Sequence, residues 1–283
     1  MKAAKILILG LIALTLMACS FTVNVPTVYT GSVETFEFSE PPVSETEINK
    51  VSIEMGAGKL TLAQGTDQLV EGSITYNVDS WKPEIDRGAN GITISQKNTS
   101  NVGIPDGDIK NNWDLSLGNY PIDLSLSTGA YDGELDLSGL SIANLSISDG
   151  ASKTIVEFDQ LNPIKMETLS YKTGASDVEL LGLGNANVSE IYFDSGVGAY
   201  KLDFSGEMPE DISVRIQSGM SDMTLIIPEN ARAVVTFDSG LSNIDAEGTW
   251  TISGNTYECG SEGALIDINL DMAVGNLKLI QQR

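Results

Sequence analysis

Apolar residues recur in one pattern eight times along the chain, each time around a small central residue. Two apolar residues stand five and three positions before it, Ala, Val, Met or Leu follows it directly, and the apolar positions of most copies then move to four and six positions after it. Alternation with a period of two predicts β-strands, and a unit repeated at regular spacing predicts a stacked repeat architecture. The central residues are Gly56, Gly129, Gly150, Gly174, Gly196, Gly219, Gly240 and Ala273.

The apolar positions change phase by one residue across each central residue. In the copy around Gly196, Ile191 and Phe193 precede the glycine at odd offsets, and Tyr200 and Leu202 follow it at even offsets. Because side chains alternate along a strand, such a slip reverses the buried face unless the backbone bends. We therefore expect each copy to be a strand, a bend or bulge, and a second strand, both facing one core. Glycine suits the left-handed or strained backbone of such a bend, and Ala273 indicates a more relaxed one in the last copy.

The spacing of the copies predicts rungs that lie side by side in chain order. From Gly129 onward the central residues are 21, 24, 22, 23 and 21 residues apart, and the last interval is 33. The longer interval has room for an inserted hairpin near 248–262. We therefore predict an all-β chain in which strand–bend–strand repeats form a right-handed β-solenoid-like stack.

The first part of the chain departs from the regular pattern. A strand predicted at 34–38 ends at Pro41-Pro42, and alternating segments at 70–78 and 91–95 predict antiparallel arms. Residues 98–112 are polar and rich in turn formers, which is typical of a loop or domain seam. This organisation divides the chain into segments 1–18, 19–32 (a tether), 33–112 (an N-terminal β module) and 113–283 (the repeat domain).

Residues 1–18 have the pattern of a cleaved bacterial signal peptide. A basic start is followed by an apolar run, 6–17, that is too short to span a membrane. Leu16-Met17-Ala18-Cys19 resembles a lipobox, which implies that Cys19 receives a diacylglyceryl thioether and an amide-linked acyl chain. Several acyl chains anchor a protein stably to a bilayer, so we expect a lipid-anchored envelope protein that faces away from the cytoplasm. The alternative is an ordinary secretory signal with a coincidental cysteine.

The chain is strongly acidic. It carries 39 Asp and Glu against 16 Lys and Arg, and loss of Lys2 and Lys5 with the signal peptide takes the formal charge from −23 to −25. Such a charge argues against nucleic acid as a partner and against adsorption on an anionic bilayer. The negative charge either attracts cationic partners or only keeps the protein soluble. The expected partners are the bilayer, through acylated Cys19, and an envelope glycan or protein.

The chain resembles the toast-rack family. The resemblance rests on Met55-Gly56-Ala57-Gly58-Lys59-Leu60-Thr61-Leu62, on Tyr76-Asn77 and Trp81-Lys82-Pro83, and on the recurring Ser-Gly turns, and it covers residues 33–283. The family includes bacterial surface lipoproteins related to head-domain adhesins, and the C-terminal domain of regulators that respond to cell-wall-active antibiotics. The resemblance implies a toast-rack fold but carries over no catalytic residue.

Few residues carry candidate chemistry. The chain contains no His, which excludes Ser-His-Asp and Cys-His catalysis and His-ligated zinc. Cys259, the second of two cysteines, is expected to be an inert packing residue. We therefore predict no catalytic residue, no cofactor and no metal, and lipidation of Cys19 as the modified site.

Three weaker candidates remain open. Acidic residues at the bends offer carboxylate pairs of the kind that hydrolyse glycosides, although solvated turn residues explain them better. Asp106-Gly107-Asp108 offers oxygen ligands for calcium, against a plain solvated loop. Three tryptophans offer carbohydrate platforms, although core packing is the more frequent role. The bend acids are Asp149, Asp177, Asp194, Asp222 and Asp238, and the tryptophans are Trp81, Trp113 and Trp250.

Together these features predict a non-catalytic surface lipoprotein that acts in adhesion, envelope binding or sensing. The alternative is a regulatory partner protein that responds to envelope damage. A glycan-active enzyme is the less favoured third hypothesis.

Overall fold

The computed structural model of the chain describes residues 27–96, 104–106, 108–237 and 243–282. Residues 1–18, Cys19, Asp238 and Gly240 lie outside them. Within the described ranges, one short 3-10 helix spans Asp79–Trp81. The strands are β1 (Thr27–Tyr29), β2 (Glu34–Glu40), β3 (Asn49–Gln64), β4 (Val70–Tyr76), β5 (Pro83–Gly88), β6 (Gly91–Gln96), β7 (Ile104–Asp106), β8 (Asn111–Leu117), β9 (Ile122–Asp136), β10 (Ile142–Glu157), β11 (Met166–Leu181), β12 (Val188–Asp203), β13 (Ile212–Ile227), β14 (Ala231–Phe237), β15 (Asn243–Glu247), β16 (Thr251–Ser253), β17 (Thr256–Cys259) and β18 (Ala264–Gln281).

Sixteen of these strands form one sheet, and β1 and β7 form a separate parallel pair. The long strands β3, β9, β10, β11, β12, β13 and β18 pair with one another in parallel, so that equivalent positions of the repeat lie opposite each other. The prediction of an all-β chain built from stacked repeats is confirmed. No described helix combines the length and the apolar character that crossing a membrane requires.

The change of phase at the central residue is confirmed. In β12, Ile191, Phe193 and Ser195 are buried before Gly196, and Tyr200 and Leu202 are buried after it. Both halves contribute to a single hydrophobic core, which contains the predicted positions of neighbouring copies as well. The strand continues through the glycine and the register with the next strand resumes unchanged, so the phase slip happens within the strand.

Each long strand must fold over at the phase change. A straight strand of 16 residues would be about 53 Å long. Only residues 182–187 connect the end of β11 to the start of β12, and they reach about 20 Å. Since Val188 lies opposite Met166 in the parallel register, the end of β11 must come back towards its own start. The two halves of each strand therefore form two layers that enclose the core.

The order of the last two copies differs from the prediction that successive rungs lie side by side. The eighth copy, β18, lies between the sixth copy, β13, and the two halves of the seventh, β14 and β15. The antiparallel hairpin of β16 and β17 falls within the predicted insertion and pairs with β14. The longer interval before the eighth copy gives the chain enough length to form the hairpin outside the seventh copy and then to place β18 between the sixth and seventh copies.

The opposite end of the sheet is built from the irregular first part of the chain. In one layer β3 pairs with β8, which is followed by antiparallel β4 and β2. In the other layer β3 pairs with β6, which is followed by antiparallel β5. The first copy, β3, also pairs with β9, so both parts of the chain share one sheet. The division of the chain between residues 112 and 113 stays a prediction.

The structure corrects the reason for glycine at the bends. None of the described central glycines has a positive φ, so a left-handed backbone is not what requires them. They approach the preceding strand instead: a Cβ added at Gly174 would stand 2.4 Å from the carbonyl oxygen of Gly150, and one at Gly196 would stand 2.3 Å from that of Gly174. Such contacts are far inside van der Waals distance, so close stacking of neighbouring bends selects glycine.

Candidate functional site

The residues directly after the central residues form a column across seven strands, which we call the bend ridge; its members are exposed except for the half-buried Ala57. The strand register places these residues opposite one another on neighbouring strands. Alanines occupy the positions from β3 to β11, and larger aliphatic side chains occupy those on β12, β13 and β18. Val197 is 54%, Met220 58% and Val274 46% exposed, so the ridge ends in adjacent aliphatic side chains in contact with solvent. The described members are Ala57, Ala130, Ala151, Ala175, Val197, Met220 and Val274.

Acidic residues flank the aliphatic end of the bend ridge. Asp194 and Asp271 stand two positions before the central residues of β12 and β18, and Asp222 stands three positions after that of β13; all three are exposed. This end of the ridge therefore combines an apolar stripe with negative charge on both sides.

A buried polar network lies beneath the ridge and is centred on Asp149. Its carboxylate accepts hydrogen bonds from the hydroxyls of Tyr171 (2.8 Å), Ser152 (3.1 Å) and Ser176 (3.2 Å), and from that of Thr173. Asp149 is only 8% exposed. Four hydroxyl donors compensate the loss of hydration, as a buried charge requires.

The network overturns the expectation that all bend acids are solvated turn residues. Asp149 stands one position before its glycine, on the buried side of the phase change, whereas Asp177, Asp194 and Asp222 are exposed as expected. The donors of Asp149 come from β10 and the neighbouring β11. A clue was present in the sequence, because Thr or Ser fills the same position of most copies, and hydroxyls are suited to a buried polar column.

Further buried hydroxyls belong to tyrosines and threonines of the same region. The hydroxyls of Tyr131, Tyr200 and Thr154 are buried and have no hydrogen-bond partner within the described parts of the chain. Burial raises the pKa of Tyr131 to about 12, and burial together with the charges of Tyr131 and Asp149 raises that of Tyr171 further. The stability that Tyr131 contributes by staying protonated is complete below pH 10, its ordinary pKa, and is lost as the pH rises through about 12.

We expect Tyr171→Phe to lower the free energy of unfolding by about 1.5–3 kcal/mol, because it removes a buried hydrogen bond to a charged group. Tyr192→Phe is the matched control: its hydroxyl donates to Glu190, but the side chain is 41% exposed, so the change should have much less effect on stability. Urea unfolding of both variants measures the difference. Equal shifts would mean that the Asp149 network contributes nothing specific to stability.

The other candidate residues lie apart from this network. Trp113 is fully buried and its indole N–H donates to Asn111, so core packing is its role. Trp250 packs at the edge of the core, where its ring meets Tyr257 edge-on, and Trp81 is half-buried in the short helix. Cys259 is 5% exposed, and burial raises its pKa to about 11, as expected for an inert thiol.

The calcium hypothesis receives no support from the described side chains. Asp108 is exposed and its carbonyl accepts from Asn77, Gly107 lies outside the described residues, and only the backbone of Asp106 is described. Among the side chains that the structure does describe, no three Asp, Glu, His or Cys residues come together as a metal site would require.

With the stacked repeats and the bend ridge established, comparison with known families identifies the fold. The model of the N-terminal domain of toast_rack matches residues 29–167 and 160–226 of the chain, which is well over half of its length. The chain belongs to the toast-rack family. The toast-rack match includes β2 through β13, and thus the antiparallel end of the sheet and the Asp149 network.

Solved structures provide a second comparison. A proposed cell adhesion protein from Clostridium sporogenes is 20% identical, with a TM-score of 0.49 over 89% of this chain and 100% of its own. A proposed adhesin from Bacteroides fragilis is 11% identical, with a TM-score of 0.36 over 89% and 100% of the two chains. A proposed lipid-binding protein from Parabacteroides distasonis is 9% identical, with a TM-score of 0.35 over 90% and 100%. Among curated proteins, none matches this toast-rack chain.

Proposed function

We propose that the protein is a non-catalytic scaffold of the bacterial cell surface that is anchored by lipid at Cys19 and binds an envelope component through its bend ridge. The observation that carries this proposal is the aliphatic end of the ridge, where Val197, Met220 and Val274 stand exposed on adjacent strands. Contiguous exposed apolar side chains with polar surroundings mark interaction surfaces.

The stack is suited to holding such a surface in place. Parallel in-register strands lie about 4.8 Å apart, so seven strands extend the ridge over about 29 Å. Its backbone belongs to long strands that are paired on both sides along most of the stack, which fixes the spacing of the exposed side chains. Parallel connections within a sheet are right-handed almost without exception, so we assign the stack the right-handed coil of a β-solenoid.

Loss of the aliphatic side chains should weaken binding to the envelope. We expect the double variant Val197→Ser and Met220→Ser of residues 20–283 to bind whole cells of the producing bacterium at least about tenfold more weakly than the parent. Ile155→Ser is the matched control, because Ile155 is 38% exposed and lies away from the ridge. Flow cytometry with labelled protein measures binding, and circular dichroism checks folding. Unchanged binding of a folded double variant would refute the role of the ridge.

The anchor has a separate test. Cys19→Ser in the full-length chain should leave an uncleaved precursor that takes up no label from an alkyne fatty acid, because the acceptor sulfur is gone. The Cys259→Ser variant should be labelled like the parent, since that thiol is buried in the core. A Cys19→Ser protein that still carries the fatty acid would exclude this lipidation site.

A further inference from the structure

The sheet ends in two unpaired strand edges at the side remote from the β16–β17 hairpin. In one layer β2 pairs with β4 along one edge, and no described strand pairs with its other edge. In the other layer β5 pairs with β6 along one edge, and its other edge likewise has no partner within the described ranges. Unpaired edges present backbone N–H and C=O groups that can bind a further strand.

A groove of about 920 Å³ is lined by these two strands together with parts of β3 and β6. Phe36 and Phe38 from β2 and Ile85 from β5 contribute its apolar lining. All three are half-buried against the core, and the two phenylalanine rings stack with their centroids 6.0 Å apart. Half-exposed aromatic side chains next to an unpaired strand provide anchoring sites for alternate side chains of an added strand.

The groove is strongly acidic. Its lining contains five carboxylates and one guanidinium, and the guanidinium of Arg87 is already paired with Glu40. The net negative charge of this lining attracts cationic groups and repels acidic ones. The carboxylates that carry it include Glu37, Glu54 and Asp86.

From these three features we propose that the groove binds a basic, extended peptide segment of a partner protein, which adds to the unpaired edge of β2. Apolar side chains at alternate positions of the segment pack on Phe36 and Phe38, and the intervening Lys or Arg side chains meet the carboxylates. β2 is the acceptor because it carries both aromatic rings, whereas β5 begins with proline, which cannot donate a backbone hydrogen bond. The site lies at the opposite end of the sheet from Val197, Met220 and Val274 of the bend ridge and does not depend on the ridge's role.

The probe is a fluorescein-labelled Lys-Val-Lys-Val-Lys-Val-Lys peptide, titrated with residues 20–283 by fluorescence anisotropy at low salt. We expect saturable binding that weakens at least about tenfold in the double variant Glu37→Lys and Glu54→Lys. Glu258→Lys is the matched control, because Glu258 is an exposed acid on the hairpin at the opposite end, and it should change the affinity less than about twofold. Equal binding of a Glu-Val-Glu-Val-Glu-Val-Glu peptide would overturn the proposal.

Backbone pairing has its own test. Lysine and valine N–H groups of the peptide point to opposite edges of an extended strand, so N-methylation of either set blocks one edge. Strand addition requires that at least one methylated peptide loses binding about tenfold or more. Full binding of both would overturn strand addition.

Two further measurements distinguish peptide binding in the groove from binding at the bend ridge and from self-association. The ridge variant with Val197→Ser and Met220→Ser should bind the peptide like the parent, so the two proposals fail independently. Sedimentation velocity without peptide should show a monomer across the titrated concentrations. Dimerisation that the Glu37→Lys and Glu54→Lys variant abolishes would assign the groove to a second copy of the chain and overturn the peptide.

Discussion

Phe193→Ala is expected to lower the free energy of unfolding by about 3–5 kcal/mol. Phe193 is 1% exposed at the middle of the stack. Its ring lies 5.6 Å from that of Tyr171 on the preceding strand and meets Tyr200 edge-on at 5.2 Å, so it joins the two layers of its own strand to the neighbouring copy. Removing it opens a cavity that the paired strands around it cannot collapse to fill.

Lys201→Ala serves as the control on the same strand. Lys201 pairs with Glu179 at 3.2 Å, but both side chains are more than a third exposed, so the loss should stay within about 0.5 kcal/mol. Urea unfolding measures both variants. Because the stability of a stack depends on contacts between neighbouring copies, hydrogen exchange should accelerate first in β11, β12 and β13. Faster exchange confined to β4 and β6 would show that Phe193 belongs to another core.

The periodic part of the fold was predictable because one rule repeats in each copy. Side chains alternate strictly along a strand, so a one-residue slip exposes half of the apolar residues unless the strand folds over at that point. The residues on both sides of the slip in β12 are buried, which shows that the strand folds over: Ile191, Phe193, Tyr200 and Leu202. The same reasoning did not predict where the residue after the glycine lies, because its odd offset continues the phase of Ile191 and Phe193. Val197 is apolar by type, yet it belongs to the exposed side of the slip.

The order of the rungs was not predictable from the same pattern. All eight copies present the same alternation to their neighbours, so β18 satisfies the register of β13 as well as β14 would. The hairpin β16–β17 pairs with β14 on the side away from β18, and its aromatic contacts form only in the folded state: Tyr257 meets Phe237 at 5.3 Å and Trp250 at 6.5 Å.

The sites were predictable only in part for a similar reason. From the sequence, the polarity of an acidic residue at a bend predicts only that it faces solvent. The burial of Asp149 depends instead on hydroxyl groups that two neighbouring strands bring together. The groove depends on two strand edges, β2 and β5, that are far apart in sequence and belong to different layers. Neither arrangement is encoded in a local motif.

The central glycines differ from one another in what a side chain would meet, although the repeat pattern treats them alike. At Gly174 a Cβ would stand 2.4 Å from the carbonyl oxygen of Gly150 in the preceding strand, whereas at Gly56 the nearest atom is the amide nitrogen of the Gln96 side chain at 3.3 Å. Gly56 belongs to the first copy, so no earlier bend lies beneath it. A flexible side-chain end can move aside, and a paired backbone carbonyl cannot.

We therefore expect Gly174→Ala to lower the free energy of unfolding by about 1–3 kcal/mol, the usual cost of forcing an extra group into a packed site. Gly56→Ala should be neutral or stabilising by up to about 1 kcal/mol, because alanine reduces the conformational entropy of the unfolded chain and neither native backbone has a positive φ. Urea unfolding of the two variants compares one chemical change at two equivalent bends. If both shift the midpoint equally, stacking of bends does not select glycine, and the cause must lie in the backbone conformation that the two positions share.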